Sequence, residues 1–187
     1  VISPSGRWLA VAADKTWLWD LRRPNAASSP IIVHPDDVTS VAISLDEKWL
    51  VAGAMNGTTQ MWDLTAERPS DCRYELRGHK ASVFSVAIGP HSRWLVTGSK
   101  DRSVRLWDLK SLEHIELPLL SLNSEEYRFW DASSGVGTTT SLHGHDGVFI
   151  SALAITNDGT RLVSTDRQGG VRLWNLETSL WRPSQLT

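Results

Sequence analysis

The feature that most constrains this chain is a tryptophan followed by Asp or Asn, repeated at a nearly fixed interval. The pairs are Trp19-Asp20, Trp62-Asp63, Trp107-Asp108, Trp130-Asp131 and Trp174-Asn175. The successive intervals between these tryptophans are 43, 45, 23 and 44 residues. Three of the four intervals fall in the period of about 40–45 residues that is typical of a four-stranded repeat unit. The chain is therefore predicted to be an array of such units.

The interior of each unit follows a common order of strand signals. A histidine precedes an alternating apolar run, as His79 precedes residues 83–88, and such alternation predicts a strand. A second short run follows, and its Leu precedes the Trp by 12 residues in three units, at Leu50, Leu95 and Leu162. The pair Asn56-Gly57 is a strong hairpin signal. No segment has a sustained helical period, so the prediction is an all-β chain.

On these residues the chain resembles the WD40 repeat family, with near-consensus repeats of the prokaryotic style. The resemblance implies a β-propeller of four-stranded antiparallel WD40 blades, with about four blades visible as a partial ring or part of a larger propeller. The expected segments are a partial blade at 1–33, blades at 34–78 and 79–117, a truncated or gapped unit at 118–142, and a blade at 143–187.

The resemblance also implies a hydrogen-bonded network in each blade, formed by a His, a Ser or Thr, an Asp and a Trp. A buried indole N–H and imidazole need such partners. The third unit has the full set, namely His79, Thr97 or Ser99, Asp101 and Trp107. The last unit keeps His145, Ser164 and Trp174, with Gln168 in place of the Asp. The second keeps His34 and Trp62, with Ala52 and Asn56 at the other positions, and the first has Asp14 and Trp19.

The interval of 23 residues between Trp107 and Trp130 is irregular. We expect residues 110–117 to form the outer strand after Trp107, residues 126–131 to end a further blade, and the polar stretch 132–141 to be a linker. The deficit is about 20 residues relative to a full repeat. Either one blade has degenerated, or a piece is absent near Leu119–Ser124; we favour the absent piece because both flanks keep their register.

Composition narrows the classes of partner. The formal net charge of −2 argues against a broad phosphate-binding stripe, so no nucleic acid is expected. The lone Cys72 excludes an internal disulfide and favours a reducing, cytoplasmic location. No apolar run is long enough to span a bilayer, so no membrane association is expected. The chain opens at Val1 inside a repeat, which indicates a fragment or a module of a larger protein.

The residues that could take part in metal binding, catalysis or cation binding are better explained by structural roles. His143 and His145 have a spacing that could suit a metal, but a zinc site needs four spaced ligands. No activated-serine motif is present. Trp8, Trp49 and Trp94 recur at one register, which favours packing over a cation cage. We therefore expect no catalytic residue, metal or cofactor.

Function is inferred from the resemblance, which implies a non-catalytic scaffold or sensor module that binds other proteins. The expected contact rim lies in the loop before the first strand and the turn between the second and third strands. Its candidate residues are Asp36, Asp37, Met55, Lys80, Ser82, Lys100, Arg102, Asp146 and Arg167. The alternative is a regulatory WD40 domain of a multidomain enzyme or signalling protein whose catalytic part lies elsewhere. Association with further blades, in cis or in trans, is also expected, because an open arc exposes sheet edges.

Overall fold

The structure is a computed structural model of the 187-residue chain. It describes residues 1–12, 15–23, 31–34, 37–109, 128–131, 139–142, 149–176 and 184–185. For four of these segments only the backbone is described: 31–34, 128–131, 139–142 and 184–185.

Strands dominate the described residues. In chain order they are β1 Trp8–Ala12, β2 Thr16–Asp20, β3 Ile31–His34, β4 Val38–Ile43, β5 Trp49–Ala54, β6 Thr59–Asp63, β7 Arg73–Arg77, β8 Val83–Ile88, β9 Trp94–Ser99, β10 Val104–Asp108, β11 Arg128–Asp131, β12 Thr139–Leu142, β13 Ile150–Ile155, β14 Arg161–Asp166, β15 Val171–Asn175 and β16 Ser184–Gln185. A 3-10 turn, Pro69–Asp71, precedes β7. The prediction of an all-β chain is confirmed. No helix in the described ranges is both long enough and apolar enough to cross a lipid bilayer.

The strands form four sheets, and the central hairpins of these sheets follow one another along the chain. Sheet 1 has the order β1-β2-β3, and sheet 4 has the order β13-β14-β15-β16. Sheet 2 has the order β11-β7-β6-β5-β4, and sheet 3 has the order β12-β10-β9-β8. All neighbours are antiparallel apart from β11 and β7, which are parallel.

The constant spacing between Leu and Trp is explained by strand register. Leu50 lies opposite Trp62, Leu95 opposite Trp107 and Leu162 opposite Trp174, each in a hairpin of the second and third strands. A shorter hairpin in sheet 1 places Leu9 opposite Trp19, which accounts for its spacing of 10 residues. Equal sequence spacing therefore corresponds to one repeated cross-strand pair.

The irregular stretch folds differently from the expectation in two places. Residues 139–142, of which 139–141 were expected within a linker, form β12 and pair with β10 as the outer strand of sheet 3, the place expected for residues 110–117, with Leu142 opposite Val104. The β-branched side chains of Thr139 and Thr140 favour a strand, and pairing satisfies the free edge of β10. Residues 128–131, expected to end a further blade, instead run parallel to β7 at the edge of sheet 2. Residues 110–127, with the proposed break, lie outside the described residues.

Packing between successive sheets makes the core. Sheets 1 and 2 enclose a cluster that includes Trp8, Leu18, Leu50 and Trp62. A second cluster between sheets 2 and 3 includes Met61, Leu95 and Trp107, and a third between sheets 3 and 4 includes Leu106, Leu162 and Trp174. Trp62, Trp107 and Trp174 are fully buried. The repeated Trp is therefore the main side chain that packs each sheet against the preceding one.

Two glycines set how closely the next sheet can approach. A Cβ on Gly53 would lie 2.6 Å from Val83 Cγ1, and a Cβ on Gly98 would lie 2.6 Å from Ile150 Cγ2. Gly53 and Gly98 occupy the same position of β5 and β9, and the atoms that they meet belong to the first residue of the following sheet. Sheet-to-sheet contact at this point requires the absence of a side chain.

Candidate functional site

The structure joins four of the predicted network residues of sheet 3 by hydrogen bonds. Trp107 Nε1 donates to the Thr97 hydroxyl over 3.0 Å, and that hydroxyl lies 2.7 Å from His79 Nε2. His79 Nδ1 lies 2.9 Å from Asp101 Oδ2. An indole only donates and a carboxylate only accepts, so an imidazole protonated on Nδ1 satisfies every group. The chain of donors then runs in one direction, from Trp107 to Asp101.

This network connects four separate segments of sheet 3. His79 lies in the loop between β7 and β8, Thr97 in β9, Asp101 in the turn after β9, and Trp107 in β10. Thr97 and Trp107 are fully buried, and the His79 and Asp101 side chains are 1% and 11% exposed. The network therefore holds the loop and the turn against the two central strands.

Asp101 has more partners than the sequence indicated. Its Oδ1 accepts hydrogen bonds from Ser103 Oγ at 2.6 Å and Ser103 N at 2.9 Å, and its Oδ2 accepts one from Lys80 N at 2.9 Å. Burial raises the pKa of Asp101, but the hydrogen bonds from His79, from the Ser103 hydroxyl and from the Lys80 N–H together lower it well below its usual range. Ser103 was not predicted, although an Asp side chain in a turn commonly accepts a hydrogen bond from the backbone N–H two residues on.

Thr97, not Ser99, supplies the hydroxyl that joins His79 to Trp107. Ser99 Oγ instead donates to Ala81 O at 2.8 Å and accepts from Asp101 N at 3.1 Å. Ser99 therefore connects the β9–β10 turn to the loop before β8, beside the network.

Sheet 4 keeps a shorter version of the network. Trp174 Nε1 donates to Ser164 Oγ over 2.8 Å. Gln168 takes the position of Asp101, and Asp166 holds the turn instead, since its Oδ1 accepts from Gln168 N at 2.9 Å and Gly170 N at 2.8 Å. His145 lies outside the described residues.

Sheet 2 replaces both the hydroxyl and the acid. Ala52 occupies the position of Thr97 beside the buried Trp62. Asn56 takes the position of Asp101, and its Oδ1 accepts from Thr58 N at 3.0 Å and Thr58 Oγ1 at 2.7 Å, so it shapes its own turn. The His34 side chain and Asp14 lie outside the described residues.

The glycine before the repeat histidine makes room for an arginine. A Cβ on Gly78 would lie 2.5 Å from an Arg105 guanidinium nitrogen. In sheet 2 the corresponding residues are Val33 and Gln60, so the glycine and the arginine are replaced together. The Gly-His pair of the repeat therefore reflects a close contact across sheet 3.

The rim is defined as the loop before the first strand and the turn between the second and third strands of sheets 2, 3 and 4. In each of the three sheets the turn donates a backbone N–H to the loop: Met55 N to Asp37 O at 2.9 Å, Lys100 N to Ser82 O at 2.8 Å and Arg167 N to Phe149 O at 3.2 Å. The predicted rim residues within the described part therefore lie at one edge of the sheets. Exposed among them are Asp37, Met55, Lys80, Lys100, Arg102 and Arg167, and Ser82 is half-buried. Asp36 and Asp146 lie outside the described residues.

The junction of sheets 2 and 3 at the rim is held by hydroxyl groups. Ser82 Oγ donates to Met55 O over 2.7 Å. The Thr39 hydroxyl contacts the backbone oxygens of Gly53 and Val83. The contacts between Ser82 and Met55 and between Thr39 and Val83 join sheet 2 to sheet 3, whereas the contact between Thr39 and Gly53 lies within sheet 2.

The junction of sheets 3 and 4 uses aromatic rings and cations. Lys100 Nζ lies 5.4 Å from the centre of the Phe149 ring, and Arg167 Cζ lies 5.4 Å from the centre of the Phe84 ring. Phe149 and Phe84 occupy the repeat positions of Ser82 and Thr39. Sequence reasoning missed both rings, because each cation and its ring belong to different sheets.

The opposite edge carries the three tryptophans considered above as a cation cage. Arg7, Lys48 and Arg93 each lie over the following Trp ring, at 4.5, 4.9 and 4.6 Å from its centre. Arg7 and Arg93 also pair with Asp20 at 3.1 Å and Asp108 at 3.6 Å. Trp8 and Trp49 are almost fully buried. The cations that cover these rings come from the chain itself, which agrees with a packing role for the three tryptophans and not with a cage for a cation ligand.

No set of three or more His, Cys, Asp or Glu side chains within the described ranges is placed to hold a metal ion. A cavity of about 250 Å³ lies between the turns of sheets 3 and 4 at the opposite edge, beside His91, Trp94 and Asp158. Asp158 accepts from Thr156 Oγ1 at 2.5 Å and Thr160 N at 3.0 Å, so its carboxylate holds its own turn.

Comparison with known families gives an independent view of the repeat. The model of the WD domain, G-beta repeat, matches residues 29–63, 70–108 and 137–175, which is more than half of the chain. The chain belongs to the WD40 repeat family. Each match begins with the outer strand of one sheet and continues through the first three strands of the next, so the third begins with β12. No curated protein matches the chain.

Membership of the WD40 family sets the general role of the chain. The four sheets are propeller blades, and domains of this family generally serve protein–protein interaction without catalysis. The family does not specify the partner or the binding surface.

Proposed function

We propose that this chain is a non-catalytic scaffold or sensor module that binds a partner protein through the rim of sheets 2, 3 and 4. The observation that carries the proposal is the combination of a fixed backbone with exposed side chains. Each turn of the rim is hydrogen-bonded to its neighbouring loop, while Met55, Lys100 and Arg102 project into solvent. A preorganised surface loses less conformational entropy when it binds.

Arg102 adds support from its backbone conformation. It has φ of 70° at the position where the other two turns have Gly57 and Gly169, with φ of 88° and 84°. A side chain in this left-handed region costs conformational energy, which is often accepted at functional positions. An exposed arginine at such a position is well suited to contact a partner.

Affinity capture with rim variants tests the proposal. The tagged chain is used to isolate bound proteins, alongside Lys100→Glu and the control Arg161→Glu. Arg161 and Lys100 are both exposed, but Arg161 lies at the opposite edge. We expect Lys100→Glu to lose a partner while it stays folded, with a melting temperature lowered only by the loss of its contact with Phe149, and Arg161→Glu to retain the partner. Retention of every partner by Lys100→Glu, Arg102→Glu and Arg167→Glu would reject the rim as the contact surface.

We also propose association with further blades, in cis or in trans, through sheet 1. Trp19 is half-buried, whereas the equivalent Trp62, Trp107 and Trp174 are fully buried. Val11, on the paired strand β1, is 39% exposed. Sedimentation equilibrium tests association in trans: a concentration-dependent mass that Trp19→Ala abolishes supports it, and a monomeric mass at all concentrations contradicts it.

A further inference from the structure

The rim junction of sheets 3 and 4 differs in chemistry from the preceding junction. Where sheets 2 and 3 are joined by hydroxyl groups, sheets 3 and 4 place Lys100 over Phe149 and Arg167 over Phe84. The two contacts cross the junction in opposite directions. They place one cation from each sheet at the boundary between the two sheets.

Among the described residues, four cations lie at this junction beside two carboxylates, those of Asp101 and Asp166. Lys80, Lys100, Arg102 and Arg167 are all exposed there. Asp101 already accepts hydrogen bonds from His79, Ser103 and Lys80 N, and Asp166 from Gln168 N and Gly170 N. Both carboxylates therefore hold their own turns. Within the part of the junction that the structure describes, cations therefore outnumber carboxylates by four to two, in a chain whose net charge is −2.

We infer that this junction binds an acidic peptide segment of the partner protein, through Lys100, Arg102 and Arg167. The inference rests on the proposed function and specifies the chemistry of its partner. Each ring covers one side of its cation and limits the motion of a long side chain, while the other side remains available to a carboxylate. An arginine can bind a carboxylate through two parallel hydrogen bonds.

A peptide fits these observations better than a nucleic acid. Single-stranded nucleic acids bind through stacking of bases on open aromatic faces together with a long basic groove. Here Phe84 and Phe149 each have one face occupied by a cation of the chain. The cations are confined to the rim of two sheets and do not form an extended groove among the described residues.

Fluorescence anisotropy on the full 187-residue chain tests the inference. The probes are a labelled peptide of alternating Glu and Ser, the same peptide with Gln for Glu, and a single-stranded DNA oligonucleotide of equal charge. The variants are Lys100→Gln/Arg167→Gln and the control Arg161→Gln. Arg161 and Arg167 flank opposite ends of β14, so the control removes a cation from the same sheet.

We expect the Glu peptide to bind and the Gln peptide not to bind. The double variant should raise the dissociation constant at least about tenfold, because each charge-assisted contact contributes on this scale. Arg161→Gln should leave it unchanged, and added salt should weaken binding. Arg102→Gln, at an exposed turn, is a second variant if the double variant unfolds, and it should weaken binding in the same direction.

Three results would overturn the inference: equal binding of the Glu and Gln peptides, tighter binding of the oligonucleotide, or an equal loss in Arg161→Gln. Failure of this inference is distinguishable from failure of the proposed function. If Lys100→Glu releases a captured partner but the chain does not bind the Glu peptide, the rim is the interaction surface and the acidic specificity is wrong. If the Glu peptide binds but the rim variants retain every partner, the proposed function is wrong.

Discussion

The Thr97 hydroxyl accepts a hydrogen bond of 3.0 Å from Trp107 Nε1 and lies 2.7 Å from His79 Nε2. One oxygen atom therefore connects the third strand of sheet 3 to the loop that precedes its first strand. Loss of this atom leaves two buried ring nitrogens without their partner.

Thr97→Val keeps the shape of the side chain and removes its hydroxyl. We expect the free energy of unfolding to fall by about 2–4 kcal/mol, because each unsatisfied buried polar group costs about 1–3 kcal/mol. Urea denaturation measures the change. Thr65→Val is the matched control, since Thr65 is exposed and its hydroxyl donates to Asp63 Oδ1 within its own turn. A loss no larger than that of the control would contradict a stabilising network.

Asp101 should make stability depend on pH at the acid end. Its pKa is lower in the folded state than in the unfolded chain, so its contribution is complete above the unfolded pKa of about 4 and is lost as pH falls toward the folded pKa. Asp101→Asn lacks this titration. The difference in unfolding free energy between wild type and Asp101→Asn should shrink by more than about 1 kcal/mol between pH 6 and the lowest accessible pH, on the scale of about 1.4 kcal/mol per pKa unit. Urea denaturation across that range measures it, and a constant difference would refute the linkage.

Gly98→Ala places a methyl group at the junction of sheets 3 and 4. The new Cβ would lie 2.6 Å from Ile150 Cγ2, so the sheets must separate or the side chain must move. We expect a loss of about 1–3 kcal/mol, as for other overpacked cores. Thermal unfolding monitored by circular dichroism tests it. Gly89→Ala is the control, because the nearest atom to its added Cβ is 3.5 Å away. Equal melting temperatures for the two variants would show that the junction tolerates the methyl group.

Arg102→Gly should increase the stability of the chain and weaken its binding of the acidic peptide. Glycine adopts the φ of 70° without the steric cost of a side chain, so the free energy of unfolding should rise by about 0.5–1 kcal/mol. Binding of the acidic peptide should weaken at the same time. Arg102→Ala removes the charge but keeps the strained backbone, so it should weaken binding without the gain in stability. A destabilised Arg102→Gly relative to Arg102→Ala would mean that the turn carries no relievable strain.

The repeated hairpins were the most predictable part of the fold. The spacing from Leu95 to Trp107 is set by two strands and a turn of constant length, and all of these residues are close together in the chain. The contacts of His79, Thr97, Asp101 and Trp107 followed from the family pattern. Phe84 and Phe149 could not be assigned in this way, because Arg167 and Lys100 reach them from neighbouring sheets.

The outer strand of sheet 3 was also not predictable from the sequence. Residues 139–142 have a polar composition that suits a linker, yet they pair with β10 across a long connection. An edge strand is stabilised by backbone hydrogen bonds to its neighbour. Its side-chain pattern therefore predicts the strand only weakly.

The amino-acid sequence alone determined the repeated Trp-Asp unit, its all-β character and the register of the central hairpins, because these depend on residues close together in the chain. The tertiary structure alone decided which strands close each sheet and which side chains meet at the rim. Those contacts depend on how four sheets pack, through Gly53, Gly98 and the buried tryptophans. The Trp-Asp pair therefore defined the unit, and packing between units defined the surface proposed to bind.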